Sequence, residues 1–183
     1  MKSLVLTITL LAIGATSMFA QTYITRTGKI SFNASAPGSP EVEAVNNEVA
    51  NILDAKTGGI VFQVPIKSFK FERELMQEHF NENYLESDKY PRSDFKGNVT
   101  NLNEINFDKD GSYNAIARGK LTIHGITNDI TVPGLVIVKG NTILLKAKFS
   151  VRLLDYKISI PSVVADKVAK EAIIILESNL SQK

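Results

Sequence analysis

Cysteine and tryptophan are absent from this sequence, and only two of its 183 residues are histidine. Without cysteine the chain forms no disulfide bond, so a hydrophobic core alone must stabilise it. Structural zinc sites usually include cysteine, and His79 and His124 do not stand at H-E-x-x-H or similar spacing. The P-loop, G-x-G-x-x-G, G-x-S-x-G and C-x-x-C motifs are absent as well. The sequence therefore predicts no metal, no cofactor and no enzyme activity.

An excess of charge of either sign is lacking too. The chain has 21 lysine and arginine residues against 19 acidic residues, a formal net charge of +2. This balance predicts no nucleic-acid partner. It leaves the oligomeric state open, with a monomer and a dimer both compatible with the composition.

The one long hydrophobic run lies at the start of the chain. Leu4 to Ile13 follows the basic Lys2 and leads to small residues from Ala15 to Ala20, the layout of a secretory signal peptide. We predict that residues 1–20 are a bacterial signal peptide cleaved after Ala20. Residues 21–183 would then form one domain of a periplasmic or secreted protein. The run is shorter than the about 20 residues that cross a bilayer, so no stable membrane span is expected; a retained anchor is the alternative.

Alternation of apolar and polar residues, typical of half-buried β-strands, dominates the rest of the chain. In the longest example one face consists of Ile143, Leu145, Ala147, Phe149, Val151 and Leu153. Lys146, Lys148 and Arg152 lie on the other face. At about 3.3 Å per residue this strand extends for roughly 36 Å, about twice the usual length. Such strands predict an all-β fold, an elongated closed barrel with a lipophilic interior.

A second strand, residues 113–123, has an apolar face whose middle side chains are unusually small. The face consists of Tyr113, Ala115, Ala117, Gly119, Leu121 and Ile123. A strand that fills a core has bulky residues at such positions, whereas Ala115, Ala117 and Gly119 leave space. The pattern predicts an apolar cavity and a hydrophobic ligand. Three larger residues complete the predicted ligand-binding set on the strands: Leu121, Phe95 and Phe149.

Residues 72–85 depart from the β pattern. Their apolar side chains recur at helical spacing and predict an amphipathic helix of about three turns. We expect four of them to touch the ligand: Leu75, Met76, Phe80 and Tyr84. His79 would lie at the rim of this stripe, where it reaches water or a ligand head group. The alternative is a stripe that packs on the barrel wall without meeting ligand.

An outer-membrane barrel is the rival β interpretation, because it would turn the apolar strand faces outward to lipid. The amphipathic helix needs an apolar partner inside the protein, which argues against this rival. The lack of tryptophan for an aromatic girdle argues against it as well.

Three segments of the chain resemble a known family. They are Met76 to Phe80 with Tyr90-Pro91 and Phe95; Gly119 to Thr127 with Val132-Pro133; and Phe149 to Val151 with Asp155-Tyr156 and Ile160-Pro161. Together they resemble the YceI-like family of exported polyisoprenoid-binding proteins. The resemblance implies a lipocalin-like, extended, eight-stranded antiparallel β-barrel with one short helix. It also implies an isoprenoid or other long-chain lipid as the partner held in the barrel.

The chain differs from the family pattern at two positions. Gln77 follows the helix methionine, where family members often carry arginine, and Asn128 follows Gly125-Ile126-Thr127, where they often carry arginine or lysine. These differences favour a neutral, quinone-like or shorter ligand over an anionic one. The leading hypothesis is an exported, non-enzymatic lipid-binding protein. The alternatives are an enzyme that acts on an apolar substrate with His79 or His124 as base, and a filled barrel that serves protein interaction.

Overall fold

The computed structural model describes residues 21–39 and 42–183. Eight antiparallel strands run in chain order around a closed barrel, in which the last strand pairs with the first. They are β1 Thr22–Ser35, β2 Glu43–Asp54, β3 Gly59–Pro65, β4 Arg92–Val99, β5 Gly111–Ile123, β6 Ile126–Lys139, β7 Thr142–Arg152 and β8 Val168–Gln182. The predicted eight-stranded antiparallel barrel is confirmed. The predicted signal peptide, residues 1–20, lies outside the described residues.

Several strands are long, and most of their inward-facing positions are apolar. β5, β6 and β8 have 13, 14 and 15 residues, whereas a typical strand has about 5–6. In β7 the buried residues include Ile143, Leu145 and Val151, which all come from the predicted apolar face. The interior of the barrel is therefore the core of the protein.

The connection between β3 and β4 carries the predicted helix. Helix α1, Glu74–His79, continues as a π-helical turn, Phe80–Tyr84, close to the predicted span of residues 72–85. We call residues 66–91 the lid. The lid lies at the barrel end that also carries the β1–β2, β5–β6 and β7–β8 connections.

The barrel end opposite the lid is filled by side chains. Leu53, Ile143 and Leu180 are fully buried there. Nearby, the ring of Tyr23 stacks on that of Phe107 with centroids 6.3 Å apart. We call this the filled end. Because it is packed, free space inside the barrel lies in its middle and toward the lid.

Candidate functional site

Two cavities occupy the barrel between the filled end and the lid. The inner cavity has a volume of about 120 Å³, and its wall includes Phe62, Phe95, Ala115, Ala117, Val136 and Leu145. The lid cavity has a volume of about 180 Å³, and its wall includes Phe32, Phe69, Met76, Phe80, Tyr84 and Ile158. Each is similar in size to the ~150 Å³ apolar cavity that holds one benzene molecule.

Five residues lie on the walls of both cavities, and we call them the waist. They are Ile30, Val64, Ser93, Leu121 and Phe149. They belong to five different strands, β1, β3, β4, β5 and β7. The two cavities thus adjoin at the level of these residues. They lie end to end along the barrel, and we call the pair the channel.

The wall of this channel is almost entirely apolar. Two charged residues border the inner cavity, Asp94 and Lys146, but their charges lie outside the barrel. Asp94 stands between the inward-facing, buried Ser93 and Phe95, so its side chain points outward. The Nζ of Lys146 forms an ion pair with the Glu177 carboxylate at 3.0 Å on the outer surface. The channel thus suits hydrocarbon and offers no charge to an anion.

Most of the predicted ligand-binding residues lie on this wall. Phe95, Ala115 and Ala117 border the inner cavity. Met76, Phe80 and Tyr84 border the lid cavity. Leu121 and Phe149 belong to the waist. The structure therefore brings eight residues from the helix and the strands to one channel, and their contact with a ligand stays a prediction.

Leu75, which was expected to touch the ligand, needs correction, because it is 64% exposed and borders neither cavity. His79, which was expected at the rim of the stripe, is exposed and borders neither cavity, and its contact with a ligand head group stays a prediction. The regular α-helix has only six residues, Glu74–His79, before the π-helical turn changes the spacing of side chains. A stripe drawn for a regular three-turn helix therefore includes residues that face solvent.

Gly119 needs correction for a different reason. It pairs with Gly97 across β4 and β5, and a Cβ atom at position 119 would overlap the carbonyl group of Lys96 and the backbone of Gly97. The two glycines allow the neighbouring strands to approach closely and to bend. A glycine is therefore needed at position 119 because the backbones of β4 and β5 approach closely there. Gly119 lies on neither cavity wall.

Four aromatic rings connect the lid to β1. The centroid of the Phe80 ring lies 5.4 Å from that of Phe32, 5.5 Å from Phe69 and 5.0 Å from Phe71. Aromatic pairs at these distances contribute about 0.5–1.5 kcal/mol each beyond the area they bury. Phe80 therefore has two roles in the structure, because it holds the lid in place and forms part of the lid-cavity wall.

A polar contact also ties the lid to the barrel. In the turn between β5 and β6, His124 Nε2 lies 2.6 Å from a carboxylate oxygen of Glu86 in the lid. His124 Nδ1 lies 3.2 Å from the carbonyl oxygen of Tyr156. Both partners are acceptors, so complete pairing requires a proton on each ring nitrogen. Sequence reasoning missed Glu86, whose positive φ of 42° aims its side chain at a residue 38 positions away.

Tyr156 belongs to the short 3₁₀ segment Leu153–Tyr156 after β7. Burial raises the pKa of its hydroxyl, and the nearby Asp155 carboxylate raises it further, whereas the hydrogen bond with Asn128 lowers it. The phenol is therefore neutral at physiological pH. Asn128 is the second position at which the chain differs from the family pattern. Its side-chain amide donates a hydrogen bond to the Asp155 carbonyl oxygen at 2.9 Å.

Within residues 21–39 and 42–183, no group of three or more His, Cys, Asp or Glu side chains could hold a metal ion. Over the same ranges, none of the helices has the length and apolar character needed to cross a membrane.

Solved structures with the same fold include proteins from three bacteria. A polyisoprenoid binding domain from Saccharophagus degradans, described as implicated in plant cell wall breakdown, is 10% identical with a TM-score of 0.77, over 90% of this chain and 99% of that one. Burkholderia cenocepacia BcnA is 18% identical with a TM-score of 0.67, over 85% and 96%. A Campylobacter jejuni YCEI protein is 16% identical with a TM-score of 0.58, over 75% and 83%. At these identities the likeness establishes the fold.

The sequence itself assigns the family. No curated protein matches the chain. The model of the YceI-like domain matches residues 14–177, which include every strand from β1 to β7 and most of β8. The chain therefore belongs to the YceI-like domain family.

Proposed function

We propose that this protein holds an isoprenoid or similar long apolar lipid lengthwise in its channel and acts as a binding protein. The observation that carries the proposal is the pair of apolar cavities that adjoin at the waist, between the lid and the filled end. One structural neighbour is described as a polyisoprenoid binding domain, which supports the same class of ligand here.

Burial alone supplies enough free energy for such a function. Each methylene group moved from water into the channel contributes about 0.8 kcal/mol. A dozen buried methylenes would contribute about 10 kcal/mol before the cost of ordering the chain and losing its freedom. Together the two cavities reach the ~300 Å³ at which small-molecule pockets begin. Tight binding therefore needs no charged contact.

The placement of the histidines favours binding over catalysis. His79 is exposed and away from both cavity walls. Both ring nitrogens of His124 already face acceptors, the Glu86 carboxylate and the Tyr156 carbonyl. Neither side chain is placed to act as a base on a substrate in the channel. The open channel likewise favours binding over the alternative of a filled barrel that serves protein interaction.

We also propose that the protein is exported by bacteria as a periplasmic or secreted domain of residues 21–183. The basis is the basic start, the apolar run and the small residues that precede Gln21. Intact-mass measurement of the exported protein should give a chain that starts at Gln21. A mass that retains residues 1–20 would contradict the proposed cleavage.

The binding function is tested by extracting the protein after purification from its native host. Organic extraction and mass spectrometry should find one apolar lipid class in near-stoichiometric amount. A second exported protein, purified in the same way, controls for lipid carried over from the membrane. Protein that reaches this purity without any enriched lipid, and that takes up none when offered polyprenol, would contradict the function.

A further inference from the structure

Ser93 is the one hydroxyl-bearing residue of the waist. It lies on β4, is only 8% exposed, and borders both the inner and the lid cavity. Among the described residues, no backbone or side-chain group forms a hydrogen bond with its hydroxyl. The Ser93 hydroxyl is therefore an unpaired polar group that borders the channel at the point where the two cavities meet.

The surroundings of this hydroxyl are hydrocarbon. Its partner on β3 is Val64, which is also in the waist, and the other waist residues are Ile30, Leu121 and Phe149. A ligand chain that fills the channel would prevent water from forming a hydrogen bond with the Ser93 hydroxyl. A buried hydroxyl without a partner is costly, so a pure hydrocarbon loses affinity at this level. A ligand with a polar atom here avoids that loss.

We infer that the Ser93 hydroxyl donates a hydrogen bond to an uncharged oxygen of the lipid, with apolar parts of the ligand on both sides of that oxygen. The inference rests on the proposed lipid-binding function and specifies the ligand class. A ketone or ester carbonyl within a hydrocarbon chain meets the requirement. A phosphate or carboxylate does not, because among the described residues no cationic side chain projects into the channel and an unpaired buried anion is strongly unfavourable.

The position of the waist accounts for the two apolar parts. The inner cavity, about 120 Å³, lies on one side of Ser93 and the lid cavity, about 180 Å³, on the other. A ligand that fills both places a middle segment beside Ser93. The polar atom is therefore held within the molecule's length, inside the barrel, and not at its entrance.

Two matched probes test this inference. One is 6-undecanone, a symmetrical ketone whose arm on each side of the carbonyl matches the about five carbons that the inner cavity holds. The other is undecane, the alkane of the same carbon number. Both are offered in equal amounts as cyclodextrin complexes to delipidated protein, and the retained ratio of ketone to alkane is measured by gas chromatography. We expect the wild type to retain about five- to tenfold more 6-undecanone, the value of one neutral hydrogen bond. In Ser93→Ala the ratio should fall to about one, while undecane uptake is maintained or increased.

Ser150→Ala is the matched control, because Ser150 lies on β7 next to the waist residue Phe149 but faces solvent. It should keep the wild-type ratio. An unchanged preference for 6-undecanone in Ser93→Ala, or no preference in the wild type, would overturn the inference while lipid binding stands. Retention of neither probe by the wild type would contradict the proposed function and the inference with it.

Discussion

A phenylalanine at position 117 tests the channel from the inside. Ala117 lies on β5, half-buried on the inner-cavity wall, between Val99 on β4 and Val132 on β6. A benzyl side chain at this position projects into a space of about 120 Å³. Since an apolar cavity of ~150 Å³ holds one benzene molecule, the new ring would occupy essentially the whole inner cavity.

The consequences for binding and for stability are of different size. The ring replaces about five ligand carbons, by comparison with the six of benzene. At about 0.8 kcal/mol per methylene, the loss is ~4 kcal/mol, or about a thousandfold in affinity. Overpacking a filled core costs about 1–3 kcal/mol. Here the ring enters empty space, so we expect the free energy of unfolding to change by less than ~1 kcal/mol.

Two measurements on the same samples check this prediction. Urea unfolding gives the free energy of unfolding, and extraction after loading with polyprenol gives the lipid content. Ile116→Phe is the matched control, because Ile116 is the neighbouring residue on β5 and its side chain is 38% exposed on the outer face. Normal lipid binding by Ala117→Phe would place the site elsewhere. Global unfolding of Ala117→Phe would show that the inner cavity is a packed core.

Three further substitutions test the lid and the backbone path. Phe80→Ala should weaken lipid binding and lower the free energy of unfolding by less than the ~3–5 kcal/mol of a buried phenylalanine, since one side of the ring faces the lid cavity. A stability loss of the full ~3–5 kcal/mol together with unchanged lipid content would restrict the binding site to the strands. Gly119→Ala should cost about 3 kcal/mol in urea unfolding, because its Cβ overlaps the Lys96 carbonyl; a neutral result would contradict the close strand approach. His124→Ala should cost about 1–3 kcal/mol and speed lipid release in stopped-flow transfer to vesicles, because the bond to Glu86 is lost; an unchanged release rate would show that other contacts hold the lid.

The barrel could be predicted from the sequence because its evidence is local. The period of two that marks Ile143 to Val151 in the sequence is the period at which side chains of a strand turn inward. Ala115 and Ala117 were predictable as cavity residues for a similar reason, since small inward side chains leave space whichever strands surround them. Gly119 lies on the same face of β5, but a glycine is needed there because the backbone of Gly97 on β4 approaches it closely. The sequence of β5 alone does not reveal this contact between strands.

The waist and the contact between His124 and Glu86 both depend on residues that are distant from one another in the chain. Ile30 and Phe149 come from β1 and β7, and Glu86 lies 38 positions from His124. Periodicity within a segment says which face is apolar but not which segments meet. Leu75 illustrates the same limit inside the helix, because its exposure depends on where α1 ends and the π-helical turn begins.

The unequal ends of the barrel determine how a ligand reaches the channel. Leu53, Ile143 and Leu180 fill one end, and the eight strands close into a barrel in which each strand pairs with both neighbours. The lid is held by ring contacts, by the bond between His124 and Glu86, and by the backbone bridge between Val45 and Lys70. Opening of the lid would leave the packed side chains of the filled end in place. We expect a lipid to enter beneath the lid, so that its leading apolar part passes the waist before any polar atom reaches Ser93. A ligand without an apolar part ahead of its oxygen would leave the inner cavity empty, which is why the matching probe is a ketone with an arm of about five carbons on the inner-cavity side.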